Sequence, residues 1–335
     1  MSYRVALNFE DGVTQVINCL EDETVLDAAY RAHVKLPMDC SDGVCGTCRG
    51  QCCSGNYDLG DEYLDEALSA QDAALGYVLT CQMRVTSDVI IDVPASSSLC
   101  ATGPVTAQTK VTGVERLGGS TYRLTVDFDE PMAHLPGQYV NISIPGTAAN
   151  RAYSFSSRPG DSRVHFLIKQ LPSGQMSEYL SERAQIGDRL TVEGPMGSFY
   201  LRESDAPMIM LAGGTGLAPL LSMLRVLSDQ GVPRPIHLLY GVNEPDDLAE
   251  LNVLDELAGT LAQFTYTTVV VNPSSGHPAV GFVTDHFGSI PFASEGADVY
   301  LCGPPPMVDT VRTKIRDDAM AIHQLYFEKF NPSAE

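Results

Sequence analysis

The stretch MDCSDGVCGTCRG, residues 38–50, sets Cys40, Cys45 and Cys48 within nine positions, and Cys81 follows Cys48 by 33 residues. Thiolates are strong ligands for soft metals, and C-x4-C-x2-C with a distant fourth cysteine is the spacing of plant-type [2Fe–2S] sites. A loop this short has to curl around one edge of a rhombic cluster. Gly43 and Gly46 allow the positive φ that the curl demands, and they leave room for backbone N–H groups to point at sulfur. A zinc ribbon would bring two short C-x-x-C pairs, and Cys81 has no near neighbour of that kind. The bacterial C-x2-C-x2-C-x3-C-P run is not in the sequence either. Cys52 and Cys53, just past the loop, are alternative ligands, but the simpler expectation is one buried thiol and one bystander. Cys19 and Cys100 read as small apolar fillers.

A second set of residues suits a flavin. RAYSFSS (151–157) alternates an arginine, an aromatic and hydroxyls along a strand, which places Arg151, Tyr153 and Phe155 on one face and Ala152 and Ser154 on the other. A flavin dinucleotide needs a cation for its pyrophosphate, an aromatic face for its ring and a hydrogen-bonding group near its reactive nitrogen. An exposed arginine on a sheet edge would look the same in isolation. PSGQMSEYL (172–180) adds company, with Gly174 and Ser177 at an expected helix start where free N–H groups favour phosphate. GPMGSFYL (194–201) adds a further glycine turn.

The third set is LAGGTGLAP (211–219), a glycine turn between a buried strand and a helix, with Pro219 expected near the first helical position. It is neither G-x-G-x-x-G nor a P-loop, so it implies a related but distinct dinucleotide cradle. The next strand ends in Asn243, Glu244, Asp246 and Asp247, none of them basic. That favours NADH over NADPH, whose extra phosphate wants a cation. YLCGPPPM (300–307) closes another strand at the edge where such sheets bind ligands, with a merely buried Cys302 as the alternative. The final LYFEKF offers Phe327, Glu328 and Phe330, or simply an amphipathic terminal strand.

These sites need three kinds of scaffold. Residues 1–98 read as a hairpin turning at Glu10-Asp11-Gly12, a helix over ETVLDAAYRAHV with Thr24 as its N-cap, the cysteine loop, a polar stretch and a closing strand SDVIIDVP. Residues 99–104 lie in a small-residue linker. Residues 105–205 are short alternating strands between Gly/Pro turns, an antiparallel barrel with one helix near Ser177. Residues 206–335 alternate strand and helix, which implies a parallel sheet with right-handed crossovers, and GFVTDHF is expected to open one more helix.

At 335 residues and a formal net charge of −21, the chain is too long for a single core and has the wrong sign for a nucleic-acid partner. Residues 1–98 carry sixteen acids and five bases, residues 103–205 eleven and ten, residues 206–335 fifteen and six. The acidity of the first segment serves solubility or docks on a basic partner. No apolar run approaches the roughly 20 residues that span a bilayer, and the N-terminus lacks a signal region. Nine cysteines, an odd number, suit ligands and buried thiols in a reducing, cytoplasmic setting.

In chain order, C-x4-C-x2-C…C, R-x-Y-S, G-x-x-S, G-G-T-G-x-A-P and C-G-P resemble the ferredoxin-containing members of the ferredoxin–NADP⁺ reductase family. QMSEYL, GPMGSFYLR, LAGGTGLAPLLSML, VYLCGP and FEKF are similar to the subgroup formed by the reductase components of benzoate, toluate and anthranilate 1,2-dioxygenases. The resemblance covers essentially the whole chain. It implies a multidomain α+β and α/β protein: a β-grasp [2Fe–2S] domain held by Cys40, Cys45, Cys48 and Cys81, a six-stranded FAD-binding barrel, and a Rossmann-like NAD-binding domain. It further implies that Arg151 meets the FAD pyrophosphate, Tyr153 packs on the flavin ring beside Ala152, and Ser154 approaches its reactive nitrogen. Gly174, Gln175, Met176 and Ser177 would wrap the FAD phosphates. Gly213, Gly214, Thr215 and Gly216 would line the NADH diphosphate. Cys302, with Gly303 and Pro304, would sit beside the nicotinamide, and Glu328 would join Ser154 and Cys302 at the reacting centre. Family members often end in a tyrosine over the flavin; this chain departs from that pattern, with Phe330 as the substitute.

The implied activity is electron transfer from NADH through FAD and the cluster to a terminal Rieske-type oxygenase, by a monomer outside the membrane. The rivals are a reductase for a soluble di-iron monooxygenase of the phenol, methane or alkene type, and a carrier with vestigial nucleotide sites. The intact glycines and Arg151 speak against the carrier. Ser41, Asp42, Val44 and Arg49, beside the ligands, become the candidates for tuning the cluster and docking the partner.

Overall fold

The computed structural model describes residues 2–40, 42–101, 104–290, 296–318 and 320–330; Ser41 and two linker residues, 102 and 103, lie outside them. The chain divides into two compact units, Met1–Val105 with Met196–Ser198, and Thr106–Pro195 with Phe199–Glu335.

The first unit contains β1 (Ser2–Phe9), β2 (Thr14–Leu20), α1 (Val25–Arg31), β3 (Arg49–Ser54), β4 (Tyr57–Asp58), α2 (Ala70–Ala74), β5 (Tyr77–Leu79), β6 (Arg84–Val85) and β7 (Val89–Val93). Its main sheet runs β2-β1-β7-β3-β5, and β4 pairs with β6 separately. The β1–β2 hairpin turns where expected, with Gly12 at φ 78. Alternation along β1 sends Val5, Leu7 and Phe9 into the core against Val25, Leu26, Ala28 and Ala29 of α1. Thr24 caps α1, its Oγ1 accepting from Asp27 N–H at 3.1 Å. The helix stops at Arg31 instead of continuing to Val34, because His33 turns left-handed at φ 60 and drops Val34 into the core. The strand expected to close this unit, β7, lies mid-sheet and parallel to β1, with Leu7 opposite Ile91. The stretch expected to be merely polar contains β3 to β6 and α2. Residues just past β7 are tied back to the unit, with Ser97 N–H and Oγ–H donating to Asp11 Oδ2 at 2.8 and 2.7 Å.

The second unit opens with six antiparallel strands: β8 (Val105–Leu117), β9 (Thr121–Phe128), β10 (Tyr139–Ser143), β11 (Asn150–Ser154), β12 (Arg163–Lys169) and β13 (Arg189–Met196). Their order is β11-β10-β13-β8-β9-β12, and a bridge between Phe155 and Phe166 joins the two ends into a barrel. The helix expected near Ser177 begins at Gln175, as α3 (Gln175–Glu178), and continues as a wider turn over Tyr179–Arg183.

Five parallel strands follow: β14 (Met208–Gly213), β15 (Ile236–Val242), β16 (Phe264–Val270), β17 (Ala297–Gly303) and β18 (Ile322–Lys329), in the order β16-β15-β14-β17-β18. The helices α4 (Leu217–Gln230), α5 (Leu251–Thr260) and α6 (Pro305–Asp317) make the crossovers. The segment expected to open a further helix forms a 3₁₀ turn, Val283–Ser289. The central strand β14 is buried along its whole length, as a parallel strand covered on both faces must be. Leu167 and Phe199 of the barrel segment share a core with α4 and this sheet.

Candidate functional site

The four cysteines converge as two pairs. Cys48 Sγ and Cys81 Sγ lie 3.2 Å apart. The Cys40 thiol donates to Cys45, whose sulfur also accepts from Thr47 N–H at 3.5 Å; these bonds pull the Cys45 thiol down to about 6. Cys45 N–H donates to Cys40 Sγ at 3.3 Å, and Gly43 N–H to Cys81. Among the described residues no three His, Cys, Asp or Glu side chains close on a single ion. Two thiol pairs ringed by backbone N–H groups fit a two-iron cluster with one pair on each iron, and they do not fit a lone metal ion. Gly43 and Gly46 have φ 80 and 77. A Cβ at Gly43 would stand 2.9 Å from the Glu62 carbonyl oxygen, so the loop closes only with glycine there.

The neighbours of the ligands separate by exposure. Asp42 and Val44 are on the surface. Arg49 is turned inward, its Nη1 3.0 Å from Asp72 Oδ2 with both side chains largely buried, and its guanidinium lies 4.1 Å over the Tyr77 ring. It is therefore unavailable for docking and instead braces the strand that leaves Cys48. Cys19 and Cys100 are buried fillers as expected; Cys52 is half-buried, Cys53 exposed, and their thiols donate to the Ser54 and Gln51 carbonyls.

On β11, Arg151 and Tyr153 are half-buried between exposed Asn150 and Ala152, while Ser154 is buried. Phe155 does not share the face of Arg151 and Tyr153. The strand ends at Ser154, and Phe155 enters the barrel core, stacked 3.8 Å from His134. Arg151 donates only locally, from Nη1 to the Asn150 carbonyl at 2.7 Å, and no carboxylate among the described residues pairs with it. A cation left without a protein counter-charge beside a half-open tyrosine suits an anionic, planar ligand. Burial pushes the Tyr153 phenol well up, so it stays protonated. At the α3 start the side chains have local duties. Met176 is buried in the barrel core, and Ser177 Oγ accepts from Leu171 N–H at 2.8 Å, holding the turn that carries Gly174. Backbone N–H groups, rather than the Met176 and Ser177 side chains, are what this turn can offer a phosphate.

In the parallel sheet, the third set of residues falls at adjacent strand ends. Residues Gly214–Gly216 form a 3₁₀ turn from β14 into α4, with Pro219 at the third position of α4 rather than the first. Gly213 and Gly216 are required by packing: a Cβ on Gly213 would meet Met307 Sδ at 2.5 Å, and one on Gly216 the Cys302 carbonyl oxygen at 2.3 Å. Gly214, at φ 55 with open space around it, and half-buried Thr215 are the accessible part of the turn. Cys302 is fully buried, and burial first, then the Glu328 charge, holds its thiol well above the usual range. Glu328 is its register partner on β18. Phe330 donates its N–H to the Gly303 carbonyl at 2.9 Å and packs on the core around Tyr300. Gly213–Gly216, Cys302–Pro304, Glu328 and Phe330 thus form one edge. At the end of β15, Glu244 accepts from Asn272 Nδ2 at 2.8 Å, and Asp247 is taken up by Ser120.

Sequence reasoning missed Arg202. Its guanidinium lies 3.5 Å over the Tyr200 ring and 4.5 Å over the Tyr326 ring, while its N–H donates to Tyr300 Oη at 2.9 Å. The signal was the YLR that closes the GPMGSFYLR stretch.

Three family models match the chain in the same order as these constellations. Residues 8–86 match "2Fe-2S iron-sulfur cluster binding domain", residues 108–200 "Oxidoreductase FAD-binding domain" and residues 210–313 "Oxidoreductase NAD-binding domain". The toluate 1,2-dioxygenase electron transfer component of Pseudomonas putida is 46% identical over 336 residues, covering 100% of both chains. The chain belongs to the family of 1,2-dioxygenase electron transfer components. The anthranilate counterpart from Acinetobacter baylyi is 43% identical over 98% of each chain. Among solved structures, an Amycolatopsis cytochrome P450 reductase superposes with TM-score 0.73 at 30% identity, covering 98% of this chain and 100% of that one. This electron transfer component is an oxidoreductase with [2Fe–2S], FAD and NAD binding domains. No helix among its described residues is long and apolar enough to cross a membrane.

Proposed function

We propose that the chain is the NADH-dependent reductase of a two-component aromatic-ring-hydroxylating dioxygenase of the benzoate type, and that it passes electrons to a separate terminal Rieske-type oxygenase. The observation that carries the reading is end-to-end likeness, 46% identity over the full length, to a toluate 1,2-dioxygenase electron transfer component. When bound, FAD accepts two electrons at once from NADH and releases them singly, and a [2Fe–2S] cluster relays one at a time.

The residues of the chain do the holding. Cys40 with Cys45, and Cys48 with Cys81, ligate the cluster, and N–H groups of the loop steady its sulfurs. Arg151 neutralises the FAD pyrophosphate together with N–H groups of Gln175, Met176 and Ser177, at a helix start opened by Gly174, whose own N–H is taken by the Leu171 carbonyl at 3.1 Å. Tyr153, flanked by Ala152, covers the flavin ring. Ser154, from its buried position, orients a proton toward the reactive nitrogen. Gly214 and Thr215 take the NADH diphosphate, on a turn that Gly213 and Gly216 allow to lie against β17. Cys302, Gly303 and Pro304 border the nicotinamide, with the protonated Cys302 thiol as a neutral neighbour and Glu328 behind it. Phe330 excludes water from the same edge. The domains run over 1–98, 105–205 and 206–335 with a linker at 99–104, bounds that enclose the three family matches. The protein works as a monomer in the cytoplasm, a setting that suits cysteines none of which forms a disulfide among the described residues.

The test is reconstitution: purified chain, NADH and a panel of oxygenase components, with product formation measured. Support of benzoate-type dioxygenases is expected. Support of only di-iron monooxygenases would overturn the partner, and failure of NADH to reduce the bound flavin would overturn the activity.

A further inference from the structure

The contact between the barrel and the parallel sheet contains a buried charge cluster that the proposed chemistry does not use. The tip of the β8–β9 hairpin grips the segment after β15: Gly119 N–H donates to the Asp246 carbonyl at 2.6 Å, and Ser120 Oγ–H donates to Asp247 Oδ1 at 2.5 Å. Further along β9, Arg123 Nε lies 3.0 Å from Glu250 Oε1, and Arg123 Nη2 3.6 Å from Glu115 Oε2. From the other side, α4 turns Ser222, Arg225 and Asp229 toward the barrel, a helical spacing of three and four. Ser222 Oγ–H donates to the Ser157 carbonyl at 2.7 Å, just past the flavin strand, and Asp229 Oδ2 pairs with Arg158 Nε at 2.5 Å. Arg225 makes no ion pair with Glu250 among the described residues; the Glu250 charge opposes the effect of burial on its guanidinium, and its Nε is buried without a hydrogen-bond partner. His165 Nδ1 lies 3.0 Å from Thr125 Oγ1, and burial first, then the charges of Arg123 and Arg225, hold its imidazole below the ordinary value.

Glu250 is an unfavourable residue for a purely structural joint. Its side chain is 4% exposed, and its backbone is left-handed, φ 61 and ψ 22, at the start of α5, where it makes no capping bond. Glycine would relieve the backbone, and apolar side chains would fill the site without desolvating charge. Burial pushes its carboxyl up, against the pull of Arg123 and then Arg225. The two ion pairs that join barrel and sheet among the described residues differ in this respect: Asp229 is 54% exposed, Glu250 almost fully enclosed. Oriented charge in a desolvated place fixes geometry better than it adds stability.

We infer that the buried Arg123–Glu250 pair, with the Ser222 and Asp229 bonds of α4 to the barrel beside it, sets the registry of the dinucleotide-binding sheet on the flavin barrel, so that the NADH edge is held at reacting distance from the flavin edge. Both elements it locks adjoin the proposed nucleotide site: α4 carries the glycine turn at its start, and the 244–250 segment leaves the end of β15. This inference rests on the function proposed above.

The experiment compares full-length, cofactor-loaded wild type with Glu250→Gly, Glu250→Gln and Arg123→Lys, and with Asp127→Asn as a control, because Asp127 makes an exposed pair with Arg163 within the barrel. Anaerobic stopped-flow gives the limiting rate of flavin reduction and the NADH dissociation constant; thermal melting and amide exchange at Gly119 give stability and local opening. A positioning role predicts a limiting rate about tenfold or more lower in the three cluster variants, with the dissociation constant within about twofold and flavin content unchanged. Glu250→Gly removes the left-handed strain but leaves Arg123 short of its buried partner, so its melting temperature falls; read at a temperature where every variant is fully folded, its limiting rate should still fall and Gly119 exchange rise. A wild-type limiting rate in Glu250→Gly or Arg123→Lys overturns the inference, as does a loss confined to melting temperature or flavin content. Failure of wild type itself to be reduced by NADH would instead overturn the proposed function.

Discussion

Replacing Gly216 by alanine is a test whose size follows from the packing at the end of β17. The added Cβ would lie 2.3 Å from the Cys302 carbonyl oxygen, 2.7 Å from its carbonyl carbon and 3.0 Å from the Gly303 nitrogen. All three are backbone atoms of a fully buried strand, so no side chain can rotate away. Ordinary contact begins at 3.4 Å. Turn and strand end must therefore part by roughly 1 Å, and overpacking of this kind costs about 1–3 kcal/mol. The same displacement moves the edge where the nicotinamide is proposed to lie, and an error of about 1 Å at a reacting centre lowers a rate about 100-fold. Gly214→Ala is the internal comparison. Nothing lies within 4 Å of its added Cβ, and only the φ of 55 is unfavourable, a penalty of about 1–2 kcal/mol with no displacement. Anaerobic stopped-flow at saturating NADH should show the limiting rate of flavin reduction falling by one to two orders of magnitude (about 10- to 100-fold) in Gly216→Ala. Gly214→Ala should change mainly the NADH dissociation constant. Cluster absorbance should survive in both, because the four cysteines belong to the other unit. Equal effects of the two substitutions, or a normal limiting rate in Gly216→Ala, would refute the packing argument.

Cys48→Ser and Cys81→Ser should each abolish the visible absorbance of the cluster and electron delivery to the oxygenase, while NADH-driven reduction of ferricyanide through the flavin persists; loss of both activities together would count against separate sites. Rising ionic strength should slow transfer to the oxygenase, given sixteen acids against five bases in residues 1–98, and leave flavin reduction unchanged; salt-independent transfer would exclude acidic docking. Glu244 is exposed just past the end of β15, where the proposed NADH preference expects no cation for a 2′-phosphate; on that proposal Glu244→Arg should raise turnover with NADPH relative to NADH, measured as the ratio of kcat/KM values. The Cys302 thiol is held above its ordinary value by burial, so the folded protein keeps that proton as pH rises past 9, where an unfolded thiol loses it. Iodoacetamide at pH 8 should therefore label exposed Cys53 and spare Cys302 until the protein unfolds, as read by peptide mass.

Cysteine spacing and glycine turns were legible because each chemistry demands particular residue types at fixed separations. The long strands were legible because burial imposes alternation on β1 and continuous apolarity on β14. The five elements from β3 to β6 were not, because pieces of two to six residues are too short to show a period and lie in an acidic stretch. Where α1 ends depended on His33 turning left-handed, which its side chain does not announce. Phe155 left the face of Tyr153 because the strand stopped one residue before it, and a strand end is set by its neighbours. Arg49 looked like a docking residue until Asp72 and Tyr77, 23 and 28 positions away, were found enclosing it. Arg123 and Glu250 were invisible for the same reason, since an ion pair between distant segments leaves no local pattern.

Anaerobic titration of the loaded protein with NADH tests the central claim most directly. The account predicts that flavin and cluster absorbance both bleach in the wild type, and that in Cys81→Ser only the flavin bleaches. Absorbance unchanged by NADH, or a cluster that bleaches in an Arg151→Ala protein from which the flavin has been lost, would contradict it.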